Sequence, residues 1–162
     1  RNIRAVTEAE WAWADMVILS AMIVQKDDFL DQIREAKRRG KSVAVGGPYA
    51  TALPQEVEAS GVDYMILDEG EITLPLFVEA VQHGQPNGIF RSNGEKPDVT
   101  TTPIPRFDLL DLNAYDSMSV QFSRGCPFQC EFCDIIVLYG RKPRTKTPEQ
   151  LLAELERLYE LG

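Results

Sequence analysis

All three cysteines of this 162-residue chain fall within eight positions, in the stretch FSRGCPFQCEFCDI from Phe122 to Ile135. Their spacing is Cys126-x-x-x-Cys130-x-x-Cys133. Thiolates hold soft and borderline metals, so the grouping points to a metal centre. A structural zinc site normally takes four protein ligands. The single histidine, His83, closes a helix far away in the sequence. Asp134 or Glu131 would have to complete a zinc knot, and carboxylates are uncommon there; mononuclear catalytic zinc prefers His and carboxylate. A cubane iron–sulfur cluster is the better match, because three thiolates ligate three irons and leave the fourth for a ligand that is not protein. An odd, clustered cysteine count also argues against a disulfide scaffold and for a reducing compartment, here read as the cytoplasm.

The elements that must position this loop follow from the hydrophobic pattern. ADMVILSA (Ala14–Ala21) contains a continuous apolar run, which predicts a strand buried on both faces. In QKDDFLDQIREAKRRG, Phe29, Leu30, Ile33 and Ala36 share one helical face, with Asp27 and Asp28 near the start and Gly40 past the end. SVAVGG (Ser42–Gly47) reads as a second strand, ALPQEVEASG as a short helix, DYMIL (Asp63–Leu67) as a third strand, and ITLPLFVEAVQHG as a helix ending at Gly84. This alternation predicts an α/β fold with a parallel sheet and flanking helices. Thr7 and Glu10 form a capping box, with Val6 and Trp11 as a candidate staple, on a helix leading straight into the first strand. Three strands make a small sheet with poorly protected edges, so the expectation is that one or two N-terminal strands of the native sheet precede this chain.

Ligands of open α/β sheets bind beyond the carboxyl ends of the strands, here Ser20–Met22, Gly46–Thr51 and Asp68–Glu71. Gly46 and Gly47 would let a bulky planar ligand approach the backbone; the plain alternative is that they make the turn into the next helix. Residues 85–117 are rich in Pro, Gly, Thr and Asp and read as a connector, with Asn93-Gly94 as a hairpin turn. Met118, Val120 and Phe122 then alternate as in a strand. After the cysteine loop, Thr147, Pro148 and Gln150 open a helix whose Leu151, Leu152, Leu155, Leu158 and Tyr159 share a face that needs a partner. The expected divisions are thus 1–84, 85–117 and 118–162.

RGCPFQCEFC resembles the radical S-adenosylmethionine signature C-x-x-x-C-x-aromatic-C, with Phe132 as the aromatic, between a predicted strand and a helix as in that family. The resemblance implies a [4Fe–4S] cluster on Cys126, Cys130 and Cys133, S-adenosylmethionine on the open iron, and Phe132 near the adenine. VAVGGPYATALPQEV followed by VDYMILDEGEITLPLFVEAV looks like the latter part of the cobalamin-binding domain that precedes one radical S-adenosylmethionine subclass. The implied architecture is a partial flavodoxin-like (Rossmann-like) cobalamin-binding domain, a connector, and the first βα unit of a radical S-adenosylmethionine barrel. Ser20, Gly46 and Gly47 match places where that domain cradles cobalamin. The stretch from Phe122 to Gly162 looks especially like hopanoid-methylase-like members. The implied activity is methyl transfer to an unactivated carbon of a small-molecule substrate, by a chain truncated at both ends and inactive by itself. Anaerobic cyclisation of a tetrapyrrole-like substrate, and a non-catalytic corrinoid- or zinc-binding module, are the alternatives. The Asp-x-His-x-x-Gly motif that supplies a lower cobalt ligand in many cobalamin domains does not occur.

A net charge of −8 opposes attraction to phosphate backbones and speaks against nucleic acid as a partner. No apolar stretch is long enough to cross a bilayer, and no signal-peptide pattern opens the sequence. Against this acidic background GRKPRTK (Gly140–Lys146) is basic: an exposed loop, or a contact for an anionic substrate or an electron donor such as flavodoxin or ferredoxin. Arg124 pairs with a carboxylate or is solvated. Trp11 and Trp13 read as packing residues, and Glu69 and Glu71 either reach a ligand or favour a helix N-terminus.

Overall fold

A computed structural model describes residues 6–162. The chain forms two compact units, divided between Pro97 and Asp98. In the first, helix α1 (Glu8–Trp13) starts at Thr7, whose hydroxyl accepts from the Glu10 backbone N–H while the Glu10 carboxylate accepts from the Thr7 N–H. The capping box expected from TEAE is present. Trp11 is buried, and the Arg39 guanidinium lies 4.9 Å from the centre of its ring. Val6 is about half exposed.

Strands β1 (Met16–Ser20), β2 (Ser42–Gly46), β3 (Tyr64–Ile66) and β4 (Gly88–Phe90) form a parallel sheet in the order β1-β2-β3-β4. Helices α2 (Lys26–Arg38), α3 (Gly47–Ala52), α4 (Pro54–Glu58) and α5 (Gly70–Gln82) occupy the crossovers. The sheet is covered on both faces because successive side chains alternate. Val43, Val45, Met65 and Leu67 pack with Phe29, Ile33, Ala36, Tyr49 and Val57 on one side. Ala44, Tyr64 and Ile66 meet Phe77 of α5 on the other, with Met16 and Phe90 against them. Edge-to-face ring pairs stiffen both layers: Phe29–Tyr49 at 5.5 Å and Tyr64–Phe77 at 5.2 Å.

Two sequence expectations are corrected here. β1 is not buried on both faces; it is an edge strand, and Ile18 is 63% exposed. An apolar run records that a strand can be buried, whereas its rank in the sheet decides whether it is. Gly88–Phe90, read as part of a connector hairpin, is the fourth parallel strand beside β3. Asn93 and Gly94 do have positive φ (52° and 88°), and the Glu95 N–H closes a turn on the Ser92 C=O at 3.0 Å. Only the turn half of the hairpin reading holds, because the strand before it pairs inward with β3.

The second unit begins with 3₁₀ turns at Val99–Thr101, Phe107–Leu109 and Leu112–Ala114. A two-residue antiparallel ladder follows, between β5 (Ser123–Arg124) and β6 (Arg144–Thr145), flanking helix α6 (Ile135–Tyr139). Residues 118–122 are not a strand. Alternation alone does not make one; an extended segment becomes a strand when a neighbour takes its backbone groups along a ladder, and here the Phe122 C=O accepts from the Lys146 N–H at 2.9 Å just before the β5–β6 ladder begins. Helix α7 (Pro148–Leu161) carries the expected Thr147–Gln150 capping box. Its buried residue is Glu154, ion-paired with the buried Lys146, while Leu152, Leu155 and Tyr159 are exposed. Leu151 and Leu158 are half-buried, so the leucine face is covered only in part among the described residues. No helix of the described residues is long and apolar enough to cross a membrane.

Candidate functional site

Two places hold the residues singled out by sequence. In the first unit, Ser20 and Gly46 are partners at the carboxyl ends of β1 and β2. Gly47 begins α3 with φ +84°, the left-handed region open to glycine. A Cβ on Gly47 would stand 2.2 Å from the Ser20 Oγ, and one on Gly46 would stand 2.9 Å from the Ile66 carbonyl oxygen. The two glycines therefore serve a close approach of the three strand ends. The Tyr49 N–H donates to the Ala21 C=O at 3.0 Å, locking the first loop to the second.

Beside these ends lies a crevice of about 100 Å³, lined by Ser20, Ala21, Gln25, Asp28, Phe29 and Gln32 among others. That is well below the ~300 Å³ of a pocket enclosing a cofactor-sized ligand. By itself it would seat a narrow group or one edge of a larger one. The third strand end is pinned by contacts that the sequence did not signal. Asp68 has φ +65°; its N–H donates to the Thr51 Oγ1 (2.9 Å), and its Oδ2 accepts from the Ser92 N–H (2.9 Å) and Oγ (3.2 Å). Glu69 is buried with Lys96 at 3.3 Å, so its charge is engaged inside the unit. His83 caps α5, its Nδ1 2.8 Å from the Glu79 carbonyl oxygen.

In the second unit the cysteine loop leaves β5 through Gly125, at φ +89°, where a Cβ would meet the Lys142 carbonyl oxygen at 2.4 Å. Only glycine fits this entry. The Cys126 N–H donates to the Gly140 C=O at 3.1 Å, and the Cys133 N–H to the Cys130 C=O at 3.2 Å. Cys126 and Cys133 are half-buried and Cys130 is exposed, and all three are free thiols. Phe132 is 94% exposed, its ring open to a stacking ligand. Among the described residues no three His, Cys, Asp or Glu side chains are gathered into a metal-ready group. The loop thus keeps three sulfur donors in one stretch, with its two ends fixed, without converging them. The donor set, three thiols and no histidine, suits iron and sulfide in its chemistry.

Residues 2–78 match the family described as B12 binding domain. The B12 binding domain match covers the β1-to-α5 region, and the two glycines and Ser20 lie inside it. Over its full length the chain is 73% identical to an uncharacterized methyltransferase of Synechocystis, covering 30% of that protein. It is 41% identical over 165 residues to the hopanoid C-2 methylase of Rhodopseudomonas palustris (99% of this chain, 31% of that one). It is also 30% identical over 137 residues to the hopanoid C-3 methylase of Methylococcus capsulatus (73% and 27%). The chain therefore spans about 30% of the length of these curated relatives.

Proposed function

We propose that this chain is part of a radical S-adenosylmethionine methyltransferase that uses cobalamin and a [4Fe–4S] cluster to methylate an unactivated carbon of a small molecule. The observation that carries the reading is the presence, in one chain, of a B12 binding domain and a Cys-x-x-x-Cys-x-x-Cys loop. The names of the relatives support methyl transfer over cyclisation: besides the two hopanoid methylases, they include bacteriochlorophyllide methyltransferases of Chlorobaculum tepidum.

In this reading Cys126, Cys130 and Cys133 hold the cluster, and Phe132 offers its exposed ring to the adenine of S-adenosylmethionine. The cluster, when bound, supplies the electron that cleaves the sulfonium, and cobalamin supplies the methyl group. The protein's own contribution is positional. Gly125 sets the entry of the loop, and the Cys126 N–H bond to Gly140 holds its first ligand to its far end. In the first unit Gly46 and Gly47 let the strand ends approach closely, and Ser20 at the end of β1 lines the narrow crevice that receives part of the corrinoid.

The test is anaerobic incubation of the protein with iron and sulfide, followed by metal and sulfide analysis. Four irons and four sulfides per chain are expected from the cubane stoichiometry, and each single Cys126→Ala, Cys130→Ala or Cys133→Ala variant is expected to lose most of them. One tightly held zinc per chain, with no iron taken up, would replace this reading with a structural metal site.

A further inference from the structure

We propose that Cys130 and Cys133 are a reversible dithiol, which a low-molecular-weight disulfide oxidises to an internal bond while Cys126 stays a free thiol. This goes beyond the reading of the trio as cluster ligands and does not depend on which metal the loop holds.

The three thiols differ in their backbone setting. The Cys133 N–H donates to the Cys130 C=O at 3.2 Å, closing a four-residue turn with Glu131 and Phe132 at its centre. Such a turn holds its first and last Cα atoms within about 7 Å. A disulfide spans about 4.4–6.8 Å between the same atoms, so the turn brings this pair into bonding range. Cys126 is held elsewhere. Its N–H is bonded to the Gly140 C=O at 3.1 Å, and Gly125 before it sits against the Lys142 carbonyl oxygen. Pro127 after it favours extended backbone at Cys126, which carries the chain away from a tight turn. One pairing is thus prepared by a local turn. The others would join a thiol on that turn to one anchored at the base of the loop.

Exposure decides which sulfur reacts first. Residues 127–132 are all exposed, Cys130 among them, whereas Cys133 is half-buried. An accessible thiol with a second beside it to resolve the adduct is the arrangement of reversible redox cysteines. The Cys130 sulfur attacks oxidised glutathione, forming a mixed disulfide and releasing one glutathione thiol. The Cys133 sulfur then attacks the Cys130 sulfur and releases the second. Two protein thiols are oxidised, one glutathione disulfide is reduced, and the two protons end on the glutathione thiols. In a reducing compartment such a bond is transient, unlike a scaffold disulfide. While it lasts, two of the three sulfur donors are withdrawn from any metal and are kept from irreversible oxidation to sulfinic acid.

The experiment exposes the reduced, metal-free chain to oxidised glutathione and counts iodoacetamide-reactive thiols after denaturation. The count is expected to fall from three to one, with a mass loss of two hydrogens, and a peptide map of the parent should join Cys130 to Cys133. Cys126→Ser should fall to no reactive thiol, while Cys130→Ser should form no internal bond. Three thiols left in the parent, a bond to Cys126, or a bond between chains would overturn the pairing. Cobalt(II) reads the consequence through its sulfur-to-metal absorption. The oxidised chain should show none, and reduction by a phosphine should restore it. Equal cobalt uptake before and after reduction would overturn the withdrawal of donors. Absence of uptake by the reduced chain counts against the proposed metal site instead, and the thiol count still decides the pair.

Discussion

Gly47 shows how much of a candidate ligand site can be settled by a single missing side chain. Its positive φ and the 2.2 Å separation between a notional Cβ and the Ser20 Oγ are independent reasons for glycine. A Gly47→Ala substitution adds backbone strain and an overlap at once, and is expected to destabilise the protein by about 1–3 kcal/mol in urea unfolding. Because part of that overlap is with a hydroxyl, the Ser20→Ala/Gly47→Ala double variant should recover a measurable fraction. Additive losses would mean that the two residues do not meet. Asp68 belongs to the same scale. It reaches across to Ser92 while its own N–H reaches Thr51, so one side chain and one amide hold the ends of three elements.

At the scale of elements, α7 reverses the usual relation between polarity and burial. The sequence places leucines on one face of this helix, yet it is Glu154 that is 2% exposed, against the Lys146 ammonium. The Glu154 Oε2 has no hydrogen-bond partner among the described residues. Removing one member of such a pair leaves a buried charge uncompensated. Glu154→Ala is therefore expected to cost about 3–5 kcal/mol in denaturant unfolding. Replacing both partners by apolar residues, as in Lys146→Met/Glu154→Leu, should cost markedly less. A double variant as unstable as the single one would show that the pair is not what holds α7. Since the Lys146 N–H also donates to the Phe122 C=O, this pair is tied to the residue just before β5, the strand that leads into the cysteine loop.

Considered as a whole molecule, the chain has more carboxylates than cations and uses several of them to join elements. Arg39 bonds Glu8 of α1 and Glu35 of α2 together. Hydrogen bonds from Arg38 and Arg39 hold the Glu35 carboxyl down to about 2, well below its ordinary range. A carboxylate lowered in the folded state stabilises above its unfolded value and loses that contribution as pH falls through the folded one. The first unit should thus keep this link down through weakly acidic solution and lose it toward pH 2. Glu35→Gln is expected to melt at a lower temperature near neutral pH and to converge with the parent in strong acid. Parallel melting curves at all pH values would exclude the link.

What could be read without coordinates was whatever the chain encodes locally. The capping boxes at Thr7 and Thr147, the βα alternation from Met16 to Gln82, the parallel sense of the sheet and the spacing of the three cysteines were all visible as residue types at fixed offsets. These features depend on neighbours a few positions apart, which the sequence places side by side. The tertiary structure alone decided the rest. It made β1 an edge with Ile18 in solvent, recruited Gly88–Phe90 as a fourth strand, left 118–122 outside any strand, and buried Glu154 while exposing Leu152 and Leu155. Pairing and burial are relations between segments distant along the chain, so a pattern within one segment states what it can do and only its neighbours in space determine what it does.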